Sequence, residues 1–293
     1  MTIAVVLVTH DTRSEVLGAL ASLDADLQPP PAVERLVVDT GSSDGTADAV
    51  RAAAADVTVL RLANTGFARA ANAGIRATSA EIVVLANADV RFSPGALTRL
   101  ATTLSEDRQL AAVGPQVRYP DGAVQASARR ELDLATLVGH ALLGRLAPGN
   151  RWTNRYHARD LDPTVGRDVA WLSGCAVALR RTAVVDVGGF DPGYFLYVED
   201  VDLGERLRAA GWRLRYDPRA VVEHRVGAST SQARLRALRH HAQSLHRYLS
   251  PRLRGPAWVL RPVLAVALAG WVIVTAVLER LTRHRSTTGE RMR

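Results

Sequence analysis

Four carboxylates crowd the stretch Phe195–Leu207: Glu199, Asp200, Asp202 and Glu205, entered directly from the aromatic and apolar run Phe195-Leu196-Tyr197-Val198. Charge set against apolar residues costs solvation free energy, so the combination calls for a purpose. Asp202 with Glu205 three positions on reads as a capping box, and Leu203, Leu207 and the two alanines before Gly211 fit a short helix closed by glycine. Glu199 and Asp200 are left over, just ahead of that helix. Partial burial beside Phe195 and Tyr197, together with like-charge crowding, would raise one of the two pKa values toward the range of a general base. The alternative is a solvated acidic turn.

Acids and amides also close several apolar runs earlier in the chain. Ile3–Val8 runs into Thr9-His10-Asp11, Arg35–Val38 into Asp39, and Glu81–Ala86 into Asn87-Ala88-Asp89, with a further short run over Val57–Leu62. Helical spacing separates them: Val16, Leu17, Leu20 and Leu23 up to Pro29-Pro30-Pro31, then Ala47–Ala55, then the small-residue stretch after Asn64-Thr65-Gly66-Phe67. Strand-helix-strand repeats predict a parallel sheet, and ligands of such sheets bind at the carboxyl ends of the strands. Asp39 sits at such an end and leads into the turn-rich loop Thr40–Thr46, which folds around a ligand or is an ordinary connection capped by Asp44 or Thr46. Asn64 and Asn72 offer amide donors and acceptors, or belong to a plain amphipathic helix. Asn87 and Asp89, read as lying on one side of the pleat, can hold a hard divalent cation against a pyrophosphate.

Further on, Ser93-Pro94-Gly95 opens a helix to about Leu104, Ala111–Pro115 is a strand, and Asp121-Gly122 marks a hairpin between Val117–Tyr119 and Val124–Ala126. Ser127–Arg130 carries local positive charge. Residues 131–168, with Arg151, Arg155 and Arg159, read as a helix plus a mobile segment near the site. Val169–Leu179 reads as one buried strand interrupted by Gly174, Leu214–Tyr216 and Ala220–Val222 as two short strands, and Glu223-His224 as the end of the second.

These elements need a core, and 293 residues with 47% hydrophobic and 23% charged content supply one α/β domain plus an appendage and exclude a disordered chain. Cys175 is the single cysteine, so no internal disulfide forms and a cytosolic setting is the default. Met1–Val8 lacks a basic n-region and a small-residue cleavage site, and reads as a buried strand rather than a signal peptide. The formal charge is +8, and arginines crowd the chain from Arg206 to Arg261, which points to an anionic partner: phosphates, nucleic acid or a membrane surface.

The ordered set Val37–Thr46, Asn64–Phe67 with Asn72 and Gly74, Asn87–Val90, Trp171–Gly174, Gly188–Asp191 and Tyr197–Leu203 resembles the family 2 inverting glycosyltransferases with a GT-A fold, and within them the rhamnosyltransferase branch. The resemblance covers about residues 3–230. It implies a Rossmann-like mixed sheet flanked by helices and a sugar transfer from a nucleotide-sugar, dTDP-L-rhamnose in that branch, onto a polyprenyl-diphosphate-linked GlcNAc. UDP-galactofuranose or UDP-GlcNAc is the alternative donor, and an inactive nucleotide-binding scaffold the alternative role. Carried onto this sequence, Asp39 would recognise the base, with Thr9, Gly41, Ser43 and Asp44 lining the same pocket. Asn64, Gly66, Phe67, Asn72 and Asn87 would contact the nucleotide-sugar. Asp89 would bind Mg²⁺ or Mn²⁺, with His224 as a further metal or phosphate contact, although a lone histidine at a strand end also serves structure. Family members often carry Asp-x-Asp where this chain has Asn87, so less charge is offered to the metal. Asp200, with Glu199 beside it, would be the general base; Trp171, Gly174 and Arg129 would line the acceptor pocket, or Trp171 would simply be core.

Residues 231–293 form the appendage, expected as a unit separate from 1–230. Leu235, Leu238, Ala242, Leu245 and Leu249 recur at helical spacing, opposite a face carrying Arg234, Arg236, Arg239, His240, His241, His246 and Arg247. Such a helix suits an anionic membrane surface. Pro262–Leu278 carries no charge and is slightly short of the roughly 20 residues that span a bilayer, so a single span, a monotopic hairpin or interfacial helix, and a helix packed on protein all remain open. The first two place the chain at the cytoplasmic face of the membrane. Binding to nucleic acid is disfavoured, because aromatic residues for base stacking are sparse among the arginines and an apolar helix follows directly.

Overall fold

A computed structural model describes residues 1–26, 33–131, 136, 139, 140, 143, 144, 147–156, 158, 161–225 and 231–290, the backbone alone at 231–234 and 278–290. The run Pro29–Pro31, Arg159 and the Arg234 side chain lie outside what is described. The chain divides into two compact units, Met1–Gly193 with Asp200–Gly227 and Tyr194–Glu199 with Ala228–Arg293. The expected partition at residue 230 had placed 194–199 with the sheet.

In the first unit the elements follow in the order β1 (Ile3–Thr9), α1 (Arg13–Asp26), β2 (Val33–Asp39), α2 (Thr46–Ala53), β3 (Val57–Arg61), α3 (Phe67–Arg76), β4 (Ile82–Asn87), β5 (Val90–Phe92), α4 (Ala96–Glu106) and β6 (Leu110–Arg118). There follow β7 (Val124–Gln125), β8 (Ala128–Arg129), α5 (Arg151–Tyr156), β9 (Arg167–Asp168), β10 (Trp171–Leu172), β11 (Ala176–Arg180), α6 (Arg181–Asp186), α7 (Glu199–Ala209) and β12 (Arg213–His224). The main sheet runs β3-β2-β1-β4-β11-β6-β12-β5, with β7 beside β6 and β9 beside β12. β3, β2, β1 and β4 are parallel; β11 inserts antiparallel between β4 and β6.

The register explains the acid-terminated runs. Thr9 pairs with Asp39, Asp39 with Arg61 and Val8 with Asn87, which brings all of them to one carboxyl edge. β1 reads as an unbroken apolar run because both its faces are covered. Ile3, Val5 and Leu7 join Val16, Leu20, Leu23, Leu97, Leu100 and Leu104 in the main core. On the opposite face α3 packs so closely that a Cβ on Gly74 would stand 2.3 Å from Val6 Cγ1 and 3.2 Å from Val38 Cγ2.

Several expected elements differ. α7 begins at Glu199, so Asp202 is an interior residue paired with Arg206 one turn on, not the cap of a box. Val169–Leu179 is split: β10 pairs with β8 in a two-stranded sheet and β11 enters the main one. The two short strands at 214–222 are one strand with a register shift between Asp217 and Val221. That shift spans Pro218, which has no N–H for the ladder. Asn87 closes β4 while Asp89 sits in the turn before β5, so the two share no pleat face. Part of the arginine excess is neutralised internally, Arg213 and Arg215 on Asp107 and Asp168, Arg219 on Asp217, Arg225 on Glu223.

The second unit contains α8 (Ser231–Leu249), two short 3₁₀ turns and α9 (Arg261–Glu290). Residues Gly255–Val277 have a mean hydropathy of 2.0 and are long and apolar enough to cross a membrane. Their apolar side chains are largely exposed, among them Trp258, Val263, Val266 and Ile273.

Candidate active site

At the carboxyl edge Asp39 is fully buried, and its Oδ1 accepts the amide and hydroxyl of Ser42. Oδ2 has no hydrogen-bond partner and lies 3.7 Å from Arg61 Nε. A buried carboxylate oxygen left open in this way costs free energy unless a ligand donor meets it. Thr9, also buried, bonds the Thr12 hydroxyl at 2.6 Å, and Gly41 takes a positive φ of 74° that lets the loop turn over the strand ends. Ser43 donates from its amide to Asp11 at 2.7 Å. Asp44 accepts the Thr46 amide and hydroxyl and the Arg13 amide. Burial works to raise its pKa, but these hydrogen bonds outweigh it and hold Asp44 below the ordinary carboxylate range. Asp44 therefore ties its own loop to the first residues of α1 and α2, while Gly45 holds the N-cap position of α2.

Asn64 is exposed beyond β3, and Gly66, with φ 98°, opens α3. Phe67 is half-buried, edge-on to Phe190 with centroids 6.3 Å apart. Asn72 departs from its expected place against the nucleotide-sugar. Its Nδ2 donates to the Phe190 carbonyl at 2.7 Å and its Oδ1 accepts the Phe190 amide at 2.8 Å, so both amide atoms hold the Gly188–Asp191 turn. Asn87 is partly buried, its backbone amide bonded to the Cys175 carbonyl.

Asp89, in the turn before β5, and His224, at the end of β12, meet because the two strands pair with Val90 opposite His224: His224 Nε2 lies 3.2 Å from Asp89 Oδ1. Across β6, Gln125 Oε1 stands 2.9 Å from His224 Nδ1, so Nδ1 carries a proton and donates it. In the neutral ring Nε2 then turns a lone pair on a carboxylate oxygen, an arrangement that a proton or a divalent cation between them makes favourable. The residues thus fit a metal in this respect. Among the described residues no group of three or more His, Cys, Asp and Glu side chains assembles, so a cation here would take further ligands from substrate oxygens and water.

Asp200 lies in the first turn of α7. Oδ2 accepts the Gly174 amide at 3.1 Å and Oδ1 the Val201 amide at 2.9 Å. Burial is the largest influence on its pKa and raises it; the two amides and the positive charge of Arg129 pull the other way without prevailing. A Cβ on Gly174 would stand 3.4 Å from Phe67 Cε1 and 3.8 Å from Asp200 Cβ, so glycine lets the β10–β11 turn sit between them. Cys175, buried with its thiol pushed up to about 11 by burial and by the charges of Asp200 and Asp89, is no nucleophile near neutral pH. The β10–β11 turn links the two regions directly, the Gly174 amide donating to Asp200 and the Cys175 carbonyl accepting the Asn87 amide at the end of β4. Glu199 is buried but belongs to the other unit.

Arg129 is clamped between the Tyr156 and Trp171 rings, 5.1 and 5.2 Å away, and bonds the carbonyls of Tyr156 and Ala126. Burial lowers its pKa, and Tyr156 and Asp200 draw it back up. The Trp171 indole N–H has no hydrogen-bond partner. Arg129 lines a cavity of about 480 Å³ with Tyr119, Gln125, Ser127, Arg167 and Tyr216. Trp171 and Gly174 do not line it. Gln125 went unseen in the sequence; its only signal was the Asp121-Gly122 turn, which sets it opposite Val117 on β6 while β12 runs along the other side.

An open carboxylate at a sheet edge, an acid–histidine pair and a buried acid with raised pKa near the carboxyl ends of the parallel strands are an arrangement that suits a nucleotide-sugar transferase. The chain belongs to glycosyl transferase family 2, whose model matches residues 4–188, and it is a glycosyltransferase of GT-A fold. Among its relatives is the N-acetylglucosaminyl-diphospho-decaprenol L-rhamnosyltransferase of Mycobacterium tuberculosis (strain CDC 1551 / Oshkosh), 37% identical over 96% of this chain and 95% of that one. The rhamnosyltransferase WbbL of Escherichia coli (strain K12) is 40% identical over 28% of this chain and 31% of its own. A mannosyltransferase from Pyrobaculum calidifontis, solved with GDP-Man and Mn²⁺, superposes with a TM-score of 0.61 over 97% of this chain and 79% of that one at 19% identity, a likeness of fold.

Proposed function

We propose that the chain is an inverting rhamnosyltransferase that moves L-rhamnose from dTDP-L-rhamnose to a GlcNAc-diphosphate carried on a polyprenol, in the building of a cell-wall or surface polysaccharide. The observation that carries this reading is the identity of 37%, running almost end to end, with the mycobacterial enzyme whose name states that sugar and that acceptor.

In this reading Asp39 Oδ2 receives an N–H of the base, with Thr9 and the Gly41–Asp44 loop around it. Asn64, Gly66, Phe67 and Asn87 face the rest of the donor, while Asn72 acts through the Phe190 turn. Asp89 and His224 would hold Mg²⁺ or Mn²⁺, which would neutralise charge on the diphosphate leaving group. Asp200 takes the proton of the acceptor hydroxyl as that oxygen attacks the anomeric carbon from the side opposite the diphosphate, inverting it. Both oxygens of Asp200 are fixed by backbone amides, so the base needs no reorientation. Arg129 offers its charge to the acceptor, and Trp171 and Gly174 shape the entry. Residues 1–230 do the chemistry and 231–293 hold the enzyme at the cytoplasmic face of the membrane, where a lipid-linked acceptor presents its head group.

The test is sugar transfer to a GlcNAc-diphosphate-polyprenol analogue by purified membranes, with Mg²⁺ or Mn²⁺ and a panel of dTDP- and UDP-sugars. Transfer from dTDP-rhamnose is expected. Transfer from a UDP-sugar alone would overturn the donor, and no transfer from any donor would overturn the acceptor or the activity.

A further inference from the structure

Tyr194–Glu199, the segment that hands the chain to Asp200, is packed on α8 inside the C-terminal unit. Ser244 Oγ donates to the Leu196 carbonyl at 2.9 Å. The His240 ring stacks on Phe195 with centroids 4.2 Å apart and planes 19° apart. His241 lies 5.1 Å from the Tyr197 ring and edge-on to Trp271 of α9 at 5.6 Å, and the Arg247 guanidinium stands 5.3 Å over Tyr194. Positions 240, 241, 244 and 247 form one face of a helix, so a single surface of α8 grips the whole segment.

The gripped backbone is not relaxed. Tyr197 and Val198 have φ of 67° and 70°, two successive left-handed residues, one aromatic and one β-branched. L side chains disfavour that region, and β-branched ones most. Such torsions persist only where the surroundings over-determine them. Glu199 and Asp200 follow at once as the first residues of α7.

We propose that His240 and Ser244 are positioning residues for turnover: through Phe195 and Leu196 the α8 face holds Tyr197 and Val198 left-handed, and thereby aims Asp200. The C-terminal helices are then part of the catalytic machinery as well as an anchor. The inference rests on the reading of Asp200 as the base. It uses no contact of α8 with substrate; α8 acts through the strap.

The experiment uses full-length protein in detergent micelles, comparing wild type with the double variant His240→Ala/Ser244→Ala and the conservative pair His240→Phe/Ser244→Thr. Three quantities are read: kcat, KM for donor and acceptor, and hydrogen exchange at 194–199 and at the Gly174 amide that Asp200 accepts. The alanine pair is expected to lower kcat about tenfold to a hundredfold, with both KM values unchanged. Exchange should rise at 194–199 and at Gly174, and the conservative pair should recover both. Unchanged kcat despite faster exchange at 194–199 overturns the proposal, and so does a rise in acceptor KM at constant kcat, the signature of an anchor alone. Equal losses in both pairs overturn it as well. If wild type transfers no sugar from any donor, the functional reading fails separately and the exchange arm decides: spread to Gly174 upholds the strap, and confinement to 194–199 overturns it.

Discussion

Replacing Asp200 by Asn keeps the volume, removes the charge and removes the base. The structural cost is legible: two backbone amides, of Gly174 and Val201, donate to separate carboxylate oxygens, and an asparagine accepts only one of them. Its NH₂ then faces the other N–H, a loss of about 1–3 kcal/mol. Burial acts in the opposite sense. Because it raises the Asp200 pKa in the folded chain, the carboxyl favours the folded state at low pH, and that contribution is lost as pH rises through the folded pKa. Above it the wild type bears the cost of a buried charge that the variant escapes. Asp200→Asn is therefore expected to gain on wild type as pH rises from the ordinary carboxylate value through the raised folded pKa, and to keep a constant offset from it above that. Activity should behave otherwise: loss of a general base lowers kcat about 10²–10⁴-fold, about 3–5 kcal/mol of barrier. The assay is sugar transfer against pH, with nucleotide binding and melting temperature on the same samples. Wild-type turnover should rise with pH through an acid limb displaced above the ordinary carboxylate range, and the variant's residual rate should lack that limb. Activity within about tenfold of wild type, roughly 1.4 kcal/mol, with nucleotide binding intact, would refute the assignment.

Three further changes probe the supports. Gln125→Leu removes the partner of His224 Nδ1 and should raise the Mg²⁺ or Mn²⁺ concentration for half-maximal activity by about 10–100-fold; an unchanged metal titration would argue that the His224–Asp89 pair binds no cation. Gly74→Ala drives a methyl into Val6 and should cost about 1–3 kcal/mol in urea unfolding, with Val6→Ala on top recovering part of it. Asn72→Ala leaves the buried amide and carbonyl of Phe190 unpaired, about 1–3 kcal/mol for each group. A raised donor KM without loss of stability would instead return Asn72 to the nucleotide-sugar.

The sequence by itself determined the sheet and its functional edge. Apolar runs ending in Thr9, Asp39 and Asn87, separated by helical spacing, specify parallel strands whose carboxyl ends lie at one edge; that Thr9 stands opposite Asp39 and Val8 opposite Asn87 is decided by strand order and register in the fold. Hydrophobic periodicity is a local property, and these elements are locally consistent. The start of α7 escaped the same reasoning because Asp202 and Glu205 satisfy a local cap rule, while the preceding residues are held left-handed by a helix some forty residues further on. Asn72 and Phe190 are 118 positions apart, and Gln125 and His224 are 99 apart. Arg213 and Arg215 read as surface charge until Asp107 and Asp168 are brought beside them. Which polar groups are already satisfied, and which, like Asp39 Oδ2, are left open to a ligand, is a sum over partners from the whole chain. Only the tertiary structure closes that sum, because a hydrogen bond depends on distance and direction in space, and spacing along the chain beyond a helical turn fixes neither.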